Sequence, residues 1–223
     1  MPAGFAELFE IASRRKGGTE ALVALLPTPT PTEQLAAMPD DRWLAEMAKR
    51  VFQAGFNWQV VENKWPGFEE AFSGFDVHRN AMMNDEDLDR LVSDTRIVRN
   101  GAKIRSVRDN AVFCLDLAKE YGSVGRCIAD WSPSDHIGLL ELLKTRGARL
   151  GGLTGMMVLR GPGKDGFMLG GDVLKALIRE GVIDKEPTAK AAQKAVQEAF
   201  NAWVAESGRP YMQVSRVLAY TVE

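Results

Sequence analysis

The sequence predicts an all-α protein built as two helical lobes. Three observations lead there. Apolar residues recur at three- and four-residue spacing, the mark of amphipathic helices. Glycine and proline fall mostly where those patterns stop. Strand-like alternation occurs only in scraps, as at 212–222, where a helix fits equally well.

The elements follow in order. Helical segments are expected at about 3–16 and 19–26. Pro27-Thr-Pro-Thr-Pro-Thr32 then forms a stiff, extended linker, because alternate prolines exclude helical backbone. Leu44, Met47, Val51, Ala54 and Trp58 draw one apolar stripe on a helix. Ile104, Val107, Ala111, Cys114 and Ala118 draw another, with Gly122 placed as its C-terminal cap. A break falls near Trp131-Ser-Pro-Ser134. A short helix covers about 173–179, and a long one runs from near Thr188 through Ala192, Val196, Ala199 and Trp203 to Gly208. These boundaries divide the chain into a segment 1–32 and a domain 33–223, with lobes at about 40–130 and 131–223. No solenoid repeat is visible.

Composition narrows the class. With 223 residues, 45% apolar, the chain can bury a sizeable core and is not disordered. No apolar run approaches the roughly 20 residues of a membrane span. Cys114 and Cys127 give no disulfide framework and cannot alone build a zinc site. The start lacks a secretory pattern, so a reduced, cytoplasmic protein is expected. The net charge of -2 speaks against a nucleic-acid partner, but only as an average. Arg96, Arg99, Lys103, Arg105 and Arg108 occupy 13 residues with no acid among them. Lys144, Arg146, Arg149, Arg160 and Lys164 mark a second basic region. Solvated helix faces are one reading of these stretches, and phosphate-contacting patches the other.

Two motifs can carry chemistry. Val51-Phe-Gln-Ala-Gly-Phe-Asn-Trp58 places a glycine and two amides among aromatics. Gln53 and Asn57 offer donors and acceptors suited to a nucleobase edge, and Trp58 offers a flat face for stacking. On burial tendencies alone, Phe52 and Phe56 are core. Arg146-Gly-Ala-Arg-Leu-Gly-Gly-Leu-Thr-Gly155 places a tight turn before an apolar helix, whose free N–H groups suit a phosphate. Asp172, after Gly170-Gly171, is either a helix cap or a carboxylate at the mouth of a cleft.

The run from about Trp43 to Asn110 resembles the DNA-3-methyladenine glycosylase I family. The residues that carry the resemblance are Phe52-Gln-Ala-Gly-Phe-Asn-Trp58, Phe68, Ala71-Phe72, Phe75-Asp76, Arg90-Leu-Val, Asp94, Ile97-Val-Arg-Asn100, Lys103-Ile104 and Asn110-Ala111. The 146–152 stretch resembles the helix–hairpin–helix hairpin of the same superfamily. The resemblance implies an all-α, two-lobed helix–hairpin–helix fold. It implies a DNA glycosylase that hydrolyses the N-glycosidic bond of alkylated purines such as 3-methyladenine, with the damaged nucleotide flipped from the duplex.

The site residues follow from that resemblance. Trp58, Gln53, Asn57, Phe52 and Arg50 fall at the base. Gly151, Gly152, Leu153, Thr154, Gly155, Arg149, Arg99 and Lys103 fall at DNA phosphates. Asp172 is the carboxylate for the developing sugar cation. Two departures stand out. Arg50 occupies the position, eight residues before Trp58, where the family has a glutamate; Glu46, one helical turn earlier, is the substitute carboxylate. The family's zinc ligands lie near both termini, where this chain has neither Cys nor His, so no metal and no cofactor are expected. Met156 and Met157 stand where a lyase would carry its lysine, which favours simple hydrolysis.

The expected partner is double-stranded DNA containing damaged bases, in the cytoplasm at the nucleoid, with no membrane and no obligate protein partner. A catalytically inactive binder of damaged or distorted DNA is the alternative, motivated by Arg50. A helical protein with no nucleic-acid partner is the third reading.

Overall fold

The computed structural model describes residues 2–222. All regular structure among them is helical. The order is α1 (Phe5–Lys16), α2 (Thr19–Ala24), α3 (Thr32–Ala36), α4 (Asp40–Gln53), α5 (Trp58–Ala71), α6 (Val77–Ala81) and α7 (Asp85–Ser93). It continues with α8 (Gly101–Tyr121), α9 (Val124–Asp130), α10 (His136–Arg146), α11 (Leu153–Arg160), α12 (Gly171–Arg179), α13 (Lys190–Ser207) and α14 (Tyr211–Tyr220). None of these helices is long and apolar enough to cross a membrane.

The expected punctuation is present at several ends. Gly122 and Gly208 cap α8 and α13 in the left-handed conformation. The prolines of 27–32 separate α2 from α3. The 212–222 segment is helical, as α14. The stripe drawn through Leu44 and Trp58 differs, because α4 stops at Gln53 and Trp58 opens α5.

The helices form two compact units. One contains residues up to Thr30, Ser132–Gly138 and Gly163 onward. Its core gathers Leu8, Leu22, Phe167, Phe200, Trp203 and Leu218. The first residues are tied to α13 by hydrogen bonds, Phe5 N–H to Glu206 at 2.8 Å and Trp203 Nε1–H to the Ala3 carbonyl at 3.0 Å. The other unit contains Pro31–Trp131 and Leu139–Pro162. Its core is aromatic at one end: the Phe52 ring meets Phe68 edge-on at 4.6 Å, and Trp65 stacks on Phe75 at 5.4 Å. Such pairs contribute roughly 0.5–1.5 kcal/mol beyond the burial of their area. This aromatic layer supports α4, the helix that carries most of the site described below.

One buried group gives the first unit a pH response. His136 is 3% exposed; its Nε2–H donates to the Phe167 carbonyl at 3.0 Å, and Nδ1 has no partner. Burial holds the imidazole neutral and pushes its pKa from 6.5 down to about 4. The unfolded chain therefore binds this proton at higher pH than the folded one. The stabilisation is complete above pH 6.5 and is lost as pH falls toward 4, by about 3 kcal/mol. Urea unfolding at pH 7 and pH 4.5 should show a larger loss in the wild type than in His136→Gln; equal losses would exclude His136 as the source.

Candidate functional site

The site is built where α4 ends. Gly55 has φ +67°, a left-handed conformation that breaks the helix at little cost for glycine. Asn57 then caps α5, its side chain accepting from the Gln59 N–H at 2.9 Å. The turn leaves Trp58 49% and Phe56 45% exposed, two residues apart in sequence. The carbonyls freed at the end of α4 are satisfied from α8. Lys103 Nζ donates to Phe52 O at 3.1 Å and to Ala54 O at 2.7 Å. Its ammonium is buried, and desolvation, with Arg149 nearby, lowers its pKa.

Glu46, Arg50 and Gln53 share one face of α4 through their spacing of four and three residues. Arg50 Nε donates to Glu46 at 2.6 Å and Nη1 to Gln53 Oε1 at 3.0 Å. Gln53 Nε2 donates on to Glu62 at 2.9 Å, and Glu62 also pairs with Lys49 at 2.8 Å. The Arg50 guanidinium lies 5.9 Å from the centre of the Trp58 ring. The chain thus brings three of the expected base-site residues, Arg50, Gln53 and Trp58, into one connected group with the candidate catalytic carboxylate Glu46.

The turn between α10 and α11 is pinned to α8. Asn110 accepts from the Ala148 N–H at 2.7 Å and donates to the Ala148 carbonyl at 3.1 Å. Gly152, at φ 58° and ψ -139°, sits in a region open only to glycine and stands at the N-cap of α11. Lys103, Arg149, Gly151 and Thr154 line a cleft of about 300 Å³ with Val51 and Ala54. A second cleft of about 510 Å³ lies between Ala148–Arg149 and the start of α8 near Arg105 and Asp109. Arg149 belongs to both and holds an unusual φ of +63°. Leu153 is 55% exposed at the start of α11, and Gly155 is buried against the turn.

Several expectations change. Phe52 is fully buried against Phe68, so its ring supports the site from below and does not reach a base. Phe56, read as core, is exposed. Asn57 spends its side-chain oxygen on a helix cap. Lys103 is a buried helix-capping lysine, with two of its three donors committed to α4. Asp172 is not the cap of α12; that position is Gly170. Asp172 belongs to the other unit, in the first turn of α12, and its exposed carboxylate pairs with Lys175 at 3.3 Å.

The acid-free stretch 96–108 is partly neutralised in space. Arg96 pairs with Asp94 at 2.7 Å and Glu70 at 2.9 Å, and Arg108 with Asp109 at 3.5 Å. Arg99 and Arg105 have no acidic partner among the described residues. Glu62 and Gly161 were not singled out in the sequence, because their roles arise only from contacts across the fold. The residues present do not fit zinc. Among the described residues no three His, Cys, Asp or Glu side chains converge, and burial pushes the Cys114 thiol well above its ordinary pKa.

The Lys103 cap has a measurable consequence. Lys103→Met should lower the unfolding free energy by about 2 kcal/mol, because two carbonyls lose a charge-assisted donor. An unchanged denaturation midpoint would remove Lys103 from this role.

Comparison with known proteins finds similarity over this part of the chain. The methyladenine glycosylase family profile matches residues 36–140, a little under half of the chain. DNA-3-methyladenine glycosylase 1 of Escherichia coli (strain K12) is 39% identical over 59 residues, 26% of this chain. The match spans only 32% of that protein's length. A solved structure of 3-methyladenine DNA glycosylase I is similar with a TM-score of 0.50 and 25% identity, over 56% of this chain and 79% of that one. The Staphylococcus aureus 3-methyladenine DNA glycosylase I shares the fold at a TM-score of 0.50 and 21% identity, over 62% of this chain and 80% of its own. Over residues 36–140 this chain is therefore similar in sequence to the methyladenine glycosylase family, and its all-helical fold is similar to that of solved 3-methyladenine DNA glycosylase I structures.

Proposed function

We propose that this protein is a monofunctional DNA glycosylase. It hydrolyses the N-glycosidic bond of an alkylated purine, the class that includes 3-methyladenine, and acts in base excision repair in the cytoplasm at the nucleoid. The observation that carries this reading is the half-exposed Trp58, held beside Arg50, Glu46 and Gln53 in the segment that matches the family.

Each part of the geometry has a role in that reaction. A base turned out of the duplex needs a flat apolar partner, and Trp58 offers one. Hydrogen bonds to its edge come from the Arg50–Gln53 pair. Arg149, Gly151, Gly152 and Thr154 hold the DNA backbone, with the N–H groups at the start of α11 facing a phosphate. Cleavage moves the bonding electrons onto the departing base and leaves positive charge on the sugar. In this proposal a carboxylate stabilises that charge and takes a proton from the attacking water, and Asp172 is the sequence's candidate for that role.

Purified protein should release free base from duplex DNA treated with a methylating agent. Asp172→Asn should slow release about 100-fold or more without weakening DNA binding. Unchanged release would remove Asp172 from the mechanism, and no release from any alkylated duplex would remove the glycosylase reading.

Arg149 separates grip from stability. A non-glycine residue at φ +63° is strained by about 1 kcal/mol. Arg149→Gly should therefore stabilise the fold by about that amount while removing about one phosphate contact from the salt dependence of DNA binding. A destabilised variant with an unaltered salt slope would contradict both halves.

A further inference from the structure

The turn between α10 and α11 holds one arginine in a conformation that glycine adopts without strain. We propose that Asn110 is a positioning residue: its clamp on Ala148 forces Arg149 into the left-handed conformation that presents its guanidinium to a DNA phosphate. The proposal rests on the glycosylase reading and assigns how that protein's hold on DNA is built.

Three observations support it. First, the backbone of Arg149 is fixed from both sides. On one side, Asn110 Oδ1 accepts from the Ala148 N–H at 2.7 Å, and its Nδ2 donates to the Ala148 carbonyl at 3.1 Å. Asn110 is 1% exposed, so water does not compete for either bond. On the other side, Leu150 is buried in the core of the same unit. Gly147 and Gly155 make room for it: a Cβ at Gly147 would collide with the Leu150 side chain, and one at Gly155 with its carbonyl. Arg149 joins these two anchored residues, and its φ of +63° is set by them.

Second, the position holds a side chain against its backbone preference. Glycine takes a positive φ freely, whereas an arginine there is strained. A turn that needed only to reverse the chain would be served better by glycine. What the arginine adds is an exposed cation. Strain kept for the sake of a side chain is a mark of function.

Third, that cation is not matched by an acid. Arg149 has no acidic partner among the described residues. It lines the cleft of about 300 Å³ together with Lys103, and no carboxylate is among the residues lining that cleft. Asp109 lines the neighbouring cleft of about 510 Å³, but it pairs with Arg108 at 3.5 Å. Two cations on one cleft without an acid complement an anion, and a phosphodiester is the anion that the proposed function brings there.

The test is a double-mutant cycle on DNA binding, with an undamaged duplex as the probe. Affinity is followed by fluorescence anisotropy from about 50 to about 200 mM salt. Arg149→Gly and Asn110→Ala should each weaken binding about tenfold at the lower salt. Each should also reduce the slope of log affinity against log salt by about 1. The double variant should again lose about tenfold, because without the clamp Arg149 no longer reaches the phosphate. A merely structural Asn110 would instead give independent losses, about a hundredfold in the double variant. Denaturation supplies a second readout: Arg149→Gly should raise the midpoint of the wild type but not that of Asn110→Ala, where the strain is already released. Asn110→Ser carries the cycle if Asn110→Ala does not fold. Additive losses in binding, a full salt slope in the Asn110 variant, unchanged binding in Arg149→Gly, or an equal midpoint gain in both backgrounds overturns the proposal. Intact coupling with no base release from alkylated duplex leaves the proposal standing and overturns the glycosylase reading instead.

Discussion

The end of α4 is the constraint on which the site depends. A helix leaves its last carbonyls without partners, and their dipoles concentrate negative potential there. Lys103 answers both demands at once, placing a buried ammonium against the Phe52 and Ala54 carbonyls. Gly55 then takes the left-handed turn that a side chain would resist. Because the helix stops at this point, Trp58 opens a new helix with its ring exposed instead of continuing the buried stripe of α4. One face of α4 packs Leu44, Met47, Ala48 and Val51 into the core. Glu46, Arg50 and Gln53 lie on the face beside the turn, within reach of Trp58 and Glu62. Packing on one face and polar connection on the other are thus set by the same short helix and its termination.

Much of the fold was legible in the sequence because helical period and glycine caps are local signals. Gly122 and Gly208 are readable as caps since each follows a long periodic run. The end of α4 was not readable that way. Leu44, Met47, Val51, Ala54 and Trp58 keep the helical spacing straight across Gly55, and a glycine inside such a pattern is tolerated often enough that only its positive φ decides. Phe56 escaped for a related reason: aromatic residues usually bury, and its exposure follows from a turn that periodicity does not reveal. The motif 52–58 still pointed to the correct place, since Trp58 and Gln53 do come together with Arg50.

Charge was the least legible property, because ion pairs form between residues distant in sequence. Arg96 sits in a stretch with no acids, yet Glu70, 26 residues earlier, pairs with it at 2.9 Å. Arg146 is likewise held by Glu120, 26 residues away. A run of like charges in a sequence is therefore a poor measure of the field at a surface. The cations that matter are those the fold leaves without a counter-charge.

In the two basic regions Arg99, Arg105 and Arg149 have no acidic partner among the described residues. In the proposed function, three such cations on phosphates would give a modest, non-specific hold on DNA, with a salt slope of roughly -3. On the glycosylase reading, little of the discrimination can come from that hold, because it is the same for every sequence and every lesion. It must come from the base itself, where stacking on Trp58 contributes on the order of 1–3 kcal/mol regardless of base identity. Stacking too is nearly indifferent to what is stacked. In the proposed function the remaining lever is the polar group beside the ring, where Arg50 and Gln53 offer N–H donors to a base edge.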